Sequence, residues 1–264
     1  MRTRTAVVAA LAALTLAACG GGSSEQTSDT GDPLAQLKAD GVLKVGTEGT
    51  YSPYTFHDPK TNELTGYDVE VVQAVAKELG VEAEFSETPF DAIFAGLEAE
   101  RFDVVANQVS ITEERTAKYD FSTPYTVSTG VVVTRADDSS VSALADVEGK
   151  TSAQSVTSNF AQTATAAGAE IEAVEGFTQA ITLLKQGRVD VTINDDLAVL
   201  DYLKTTGDTT VKISAKTEDR TEQALAFRKD SGLAAAVDTA LASLRADGTL
   251  TAISQKWFGQ DVSR

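Results

Sequence analysis

One cysteine, one histidine, one tryptophan and one methionine occur in 264 residues, and the 22 lysines and arginines are outnumbered by 39 acids. A single cysteine, Cys19, excludes an internal disulfide framework, so burial alone must hold the folded body. A single histidine, His57, leaves no imidazole pair for a metal site. Its turn-like setting, "FHDPKTNEL" (56–64), suits neither a metal cluster nor a catalytic triad. We therefore expect no metal and no cofactor. The formal charge of −17 makes nucleic acid and anionic lipid poor partners. It says little about a small ligand, because net charge mainly governs solubility.

Apolar residues concentrate at the N-terminus. Arg2 and Arg4 give a positive start, and Ala6 to Ala17 form a stretch too short and alanine-rich to span a bilayer permanently. Residues 1–18 read as an export signal. It ends in "LAAC" (16–19), which resembles the lipobox of bacterial lipoproteins. That resemblance implies cleavage before Cys19 and a diacylglyceryl thioether on its thiol; two acyl chains suffice for stable anchoring. The chain would then sit exported, lipid-anchored to the outer face of the cell membrane or periplasmic. The alternative, an ordinary signal with a chance cysteine, leaves "GGGSSEQTSDTGD" (20–32) without a purpose, whereas a lipoprotein needs such a flexible polar tether, here taken as 19–39. Loss of Arg2 and Arg4 with the signal moves the charge from −17 to −19.

The body alternates strand and helix patterns. "VLKVG" (42–46) and "VEAEF" (81–85) read as strands, and "DVEVVQAVAKELG" (68–80) as a helix with apolar positions 69, 72, 75, 76 and 79 and Gly80 as its stop. "FDAIFAGLEAE" (90–100) predicts another helix and "DVVAN" (103–107) a buried strand. Such alternation implies a parallel sheet covered by helices, an α/β fold. The chain also matches itself: Phe90, Leu97, Arg101, Asp103, Val104 and Asn107 recur as Phe177, Leu184, Arg188, Asp190, Val191 and Asn194. The match predicts a second α/β unit that includes "KTSAQS" (150–155), a helix from Asn159 and a helix over 196–204. "TEQALAFRKD" (221–230) reads as a strand and 232–259 as two helices without counterparts in the first unit. We therefore expect lobe 1 over 40–132 plus 225–264 and lobe 2 over 133–224. The crossings fall near 130–134 and 222–228, and two crossing strands make a hinge that can close on a ligand.

Ligands of open parallel α/β sheets bind beyond the carboxyl ends of the strands. Those ends are Asn107-Gln108 in lobe 1 and Asn194-Asp195 in lobe 2, so one lobe offers neutral groups and the other a carboxylate. Ser110 and Glu113 fit a capping box that would start a helix and offer its amides to an anion. Arg115 could hold a carboxylate bidentately, or pair on the surface with Glu113, Glu114 or Asp120. In "EGTYSPYTF" (48–56), Tyr51 suits a ligand wall and Phe56 the core. "SVTSN" (155–159) is a strand-to-helix turn with hydroxyls and free amides. Arg115 for a carboxylate, Asp195 for an ammonium and aromatics between them describe an amino-acid zwitterion.

Residues 40–261 resemble the bacterial extracellular solute-binding proteins of family 3, the amino-acid-binding subunits of ABC importers. The resemblance rests on "GTEGTYSPYTF", "GYDVEVVQAVAKELG", "SITEER", "GRVDVTINDD" and "KWFG". It implies the two-lobed periplasmic-binding-protein-like fold of type II, with two crossover hinge strands. It further implies that Glu48, Tyr51 and Phe90 line the lobe 1 wall and that Gln108 and Ser110 meet the ligand's main-chain groups. Arg115 would clamp its carboxylate, Thr157, Ser158 and Asn159 would approach from lobe 2, and Asp195 would take the ammonium. The partners implied are an amino acid, an ABC permease and its ATPase, with the binding protein a monomer. "NQVSITEERTAKYDFSTPYTVS" and "AQSVTSN" look most like the cystine-binding branch, although Val156 stands where many relatives have glycine. Glutamine or another polar amino acid is the alternative ligand. A dehydratase or a sensor on the same scaffold are the competing functions; for the dehydratase, Glu48 would be the acid–base group.

Overall fold

A computed structural model describes residues 32–263. The expected export signal, Cys19 and the expected tether up to Gly31 lie outside the described residues. Residues 33–39, expected to finish the tether, form helix α1 (Pro33–Asp40) instead. The Asp32 carboxylate accepts the Leu34 N–H at 3.1 Å, Pro33 fits a first turn that needs no N–H, and Leu37 is buried against lobe 1.

Lobe 1 continues through β1 (Val42–Thr47), an antiparallel ribbon of β2 (Thr50–Tyr51), β3 (Thr55–His57) and β4 (Leu64–Thr65), then α2 (Tyr67–Leu79), β5 (Glu82–Glu87), α3 (Phe90–Glu98), β6 (Val104–Val105), α4 (Glu113–Thr116) and β7 (Tyr119–Phe121). The chain crosses on β8 (Thr126–Arg135). Lobe 2 adds β9 (Thr151–Gln154), α5 (Asn159–Ala166), β10 (Glu170–Ala173), α6 (Phe177–Lys185), β11 (Val191–Asp195) and α7 (Asp196–Thr206). It returns on β12 (Val211–Gln223), and β13 (Ala226–Arg228), α8 (Leu233–Ala246) and α9 (Thr249–Phe258) complete lobe 1.

The internal repeat is realised in the sheets. Their orders, β5-β1-β6-β13-β7 and β10-β9-β11-β8-β12, correspond position by position. In each, three parallel strands are followed by an antiparallel one supplied from the far side of a crossing, β13 in lobe 1 and β8 in lobe 2. β6 and β11 therefore occupy equivalent places, with Asn107 two residues beyond β6 and Asn194 the last but one residue of β11. The crossings themselves are paired, with Thr126 opposite Gln223, and Ser110 bridges to Gln223. β8 belongs to the lobe 2 sheet from Thr126 onward. The segment 221–230, expected as one strand, divides at Ala224-Leu225, where the backbone passes from one sheet to the other.

Burial follows the apolar pattern. In α2, Val69, Val72, Val75, Ala76 and Leu79 are all buried, together with Val71. Two glycines are set by one neighbour: a Cβ at Gly46 in β1 would lie 2.4 Å from the Phe102 ring, and one at Gly96 in α3 would lie 2.6 Å from it. Phe102 thus fills a slot made by two missing side chains, and it holds α3 close to the end of β1, where the site begins.

Candidate ligand-binding cleft

A cavity lies between the lobes at the carboxyl ends of their parallel strands. Of the residues predicted for the site, Glu48, Tyr51, Phe90, Gln108, Ser158 and Asn159 border it. Ser110 borders a neighbouring pocket that shares Asn159 and Phe160 with the first. Arg115, Thr157 and Asp195 stand outside the cavity wall.

Among the described residues, Glu48 is the only carboxylate on that wall. It leaves β1 with its N–H donating to Asn107 Oδ1 at 2.8 Å, while Asn107 Nδ2 donates to Glu48 Oε2 at 3.2 Å and Thr50 Oγ1 to Oε1 at 3.1 Å. Burial pushes its pKa up, partly countered by the Asn107 and Thr50 bonds. Lobe 2 closes tightly over it, since a Cβ at Gly176 would lie 2.5 Å from Glu48 Oε1. Around it stand amides and aromatic rings, among them Gln154, Asn194, Phe160 and Phe177. A polar ligand with apolar stretches suits such a wall.

Arg115 resolves the choice left open by position. It is 8% exposed, its guanidinium lies 5.7 Å from the Phe90 ring centre and 5.4 Å from that of Phe94, and no ion pair reaches it among the described residues. Of the acids offered as surface partners, Glu114 pairs with Lys118 at 3.0 Å and Asp120 with Lys229 at 3.0 Å. Arg115 instead donates to the Ser110 carbonyl at 3.0 Å and, across the cleft, to the Thr157 carbonyl at 3.1 Å. Desolvation lowers its pKa to about 10, so it stays charged at neutral pH. A buried cation satisfied only by carbonyls keeps attraction in reserve for an anion.

Two expectations change. The helix after β6 is not capped by Ser110: Thr112 is the cap, its Oγ1 accepting the Arg115 N–H at 3.2 Å, and α4 is a single turn. Ser110 is drawn into the bridge with Gln223 instead, so that helix starts two residues later than the capping-box pattern implied. Asp195, expected to take an ammonium, is buried with its carboxylate engaged. Oδ1 caps α7 through the Leu197 N–H at 3.0 Å and accepts the Tyr54 hydroxyl, while Oδ2 accepts the Ser128 hydroxyl. Asp195 thus lies behind those hydroxyls rather than on the cavity wall.

The lobes touch directly at several places. Tyr51 donates its hydroxyl to Asn194 Oδ1 at 2.6 Å and packs against core residues of both lobes. Asp91 in α3 accepts the N–H groups of Val156 and Thr157 at 3.2 and 3.0 Å and the Thr157 hydroxyl at 2.7 Å. Asp91 had no signal in the sequence beyond being an acid in a first turn. Asn194 did, as the repeat partner of Asn107.

Two buried acids make stability depend on pH. Burial raises Asp68 to about 7 and Asp195 to about 6. Folded protein therefore keeps protons that an unfolded chain has released above about pH 4. Their contribution to stability is whole below that pH and is lost as the pH rises through 6 and 7. His57, raised by the Asn62 carbonyl and Glu87, acts in the same direction. The melting temperature is expected to be several degrees higher at pH 5.5 than at pH 8 in scanning calorimetry. An equal or lower value at pH 5.5 would mean that both acids are already ionised when folded.

Comparison with known proteins agrees with this fold. The chain is 54% identical over 253 residues to the L-cystine-binding protein TcyA of Bacillus subtilis, covering 94% of each. Among solved structures, an ancestral arginine-binding protein bound to arginine matches with TM-score 0.78 and 36% identity, over 83% of this chain and 99% of that one. The L-cystine solute receptor of Neisseria gonorrhoeae, unliganded and open, is 46% identical over 89% and 100% of the chains, yet its TM-score is 0.59. The more similar sequence thus gives the poorer superposition, as expected if the lobes here are closed. The family model described as bacterial extracellular solute-binding proteins, family 3, matches residues 43–260, and the chain belongs to that family.

Proposed function

We propose that the protein captures cystine in the cleft and delivers it to an ABC permease, as a monomer anchored through Cys19 to the outer face of the cell membrane. The observation that carries the ligand class is Arg115, a buried guanidinium without a carboxylate partner among the described residues, beside a cavity whose wall carries Glu48. A zwitterion meets both charges. Cystine has two ammonium groups, and two acids flank the cleft: Glu48 on the wall and Asp195 behind the Tyr54 and Ser128 hydroxyls. Ser110 and the turn Thr157–Asn159 lie on the Arg115 side, where hydroxyls and amides can serve a carboxylate. The name of the Bacillus subtilis relative supports cystine over other amino acids.

The family and its relatives are solute-binding proteins rather than enzymes. No helix among the described residues is long and apolar enough to cross a membrane, so the anchor proposed is the lipid on Cys19. Closure supplies the signal to the permease, because a ligand shifts the open–closed balance only by binding the closed form better.

Titration calorimetry on protein refolded free of co-purified ligand tests the reading with cystine, cysteine, arginine, glutamine and glutamate. Binding is expected to be tight for cystine and at least about 100-fold weaker for the rest, a gap of ~3 kcal/mol. Selective binding of arginine or glutamine would keep the mechanism and remove cystine.

A further inference from the structure

Gln108 is held in an unusual way. It has φ +50°, in the left-handed region where residues other than glycine are uncommon. It stands at the exit of β6, between Asn107, which binds Glu48, and Ser110, whose carbonyl receives Arg115. Its grip comes from Asp68 in the first turn of α2, which is 1% exposed. Asp68 Oδ2 accepts the Gln108 backbone N–H at 2.8 Å, and Oδ1 accepts the side-chain Nε2 at 2.6 Å. Nε2 also donates to Thr126 Oγ1 at 3.1 Å, at the start of the first crossing strand. Both amide hydrogens are then committed, and Oε1 is left buried without a partner, in a residue that borders the cavity.

We propose that Asp68 is a positioning residue for the ligand site, acting through Gln108. It clamps the backbone of the 107–110 turn in its left-handed conformation, and it orients the side-chain amide so that the group left over is an acceptor, suited to an N–H donor on the ligand. The proposal rests on the ligand reading above for the donor, but not for the clamp. A carboxyl group suits both tasks because its two oxygens can each accept one of these two bonds. Asparagine in its place would offer an NH₂ group of its own and let the Gln108 amide turn over. The competing role for Asp68 is local, an acid favouring the N-terminus of α2.

A double-mutant cycle of Asp68→Asn and Gln108→Gly in the full mature chain separates the two roles. Glycine adopts the left-handed region without help, so it makes the clamp redundant. Without ligand, Gln108→Gly is expected to raise the melting temperature of Asp68→Asn more than it raises that of the wild type. With cystine, Asp68→Asn is expected to weaken binding about tenfold, and by less than about twofold when Gln108→Gly is present. If Asp68→Asn alone does not fold, recovery of folded protein on adding Gln108→Gly supports the clamp, and no recovery overturns it. Equal effects of Asp68→Asn in both backgrounds would leave Asp68 serving α2 alone and overturn the proposal. The melting cycle needs no ligand, so coupling there together with a wild type that ignores cystine would remove the ligand and keep the clamp.

Discussion

Arg115→Met is expected to weaken ligand binding by about 100-fold or more, a loss of ~3 kcal/mol or greater, while the protein remains folded. Methionine keeps an apolar stem between Phe90 and Phe94, so the packing change is small. What goes is the charge, together with the bonds to the Ser110 carbonyl in lobe 1 and the Thr157 carbonyl in lobe 2. Both the ligand's carboxylate and part of the lobe closure depend on that one group. Arg115→Lys is expected to recover little, because one ammonium cannot serve two carbonyls and a carboxylate in the geometry of a planar guanidinium. Calorimetry on both variants checks this, with small-angle scattering to report closure. An Arg115→Met protein that still binds within about threefold of wild type would return Arg115 to a structural role.

The second large effect concerns Glu48. Glu48→Gln is expected to cost about 10- to 100-fold in affinity, the ~1.5–3 kcal/mol typical of a hydrogen bond to a charged group. Burial holds the Glu48 pKa above its ordinary value. The wild type should therefore begin to lose affinity on acidification sooner than an ordinary glutamate would allow, since a protonated Glu48 no longer attracts an ammonium. In Glu48→Gln the same titration should be flatter. If the variant binds cystine as well as the wild type does, the ammonium contact passes to Asp195, and Asp195→Asn becomes the decisive variant. Asp195→Asn alone is harder to interpret, because that carboxylate also caps α7 and ties Tyr54 and Ser128 across the lobes.

Asp195 also shows where equivalence read along the chain stops. The repeat correctly paired the ends of β6 and β11, since matched apolar periodicity and the shared Arg-x-Asp-Val turn oblige similar helix–strand units. It could not show that the residue after Asn194 caps a helix at once, whereas the residue after Asn107 enters a left-handed turn and the chain runs on to Thr112. Capping depends on which backbone N–H groups lie within reach, and that is decided by where the following segment goes. Ser110 misled for the same reason: its pattern fits a capping box, yet β12 arrives from more than a hundred residues away and pairs with it first.

By itself, the sequence determined the α/β class and the two lobes with two crossings, and with the family resemblance it named six residues of the cavity wall, among them Glu48, Tyr51, Phe90 and Asn159. The fold features follow from periodicity and turn chemistry, which act over a few neighbours, whereas Glu48 and Phe90 were implied by the family resemblance. Only the tertiary structure decided that Arg115 faces carbonyls rather than acids, that Asp195 is enclosed by hydroxyls, that Asp91 joins the lobes, and that Asp68 grips Gln108. Each of those depends on groups brought together across the cleft or the sheet, where competition among partners and the cost of burying a charge choose between pairings that the chain order leaves equally open.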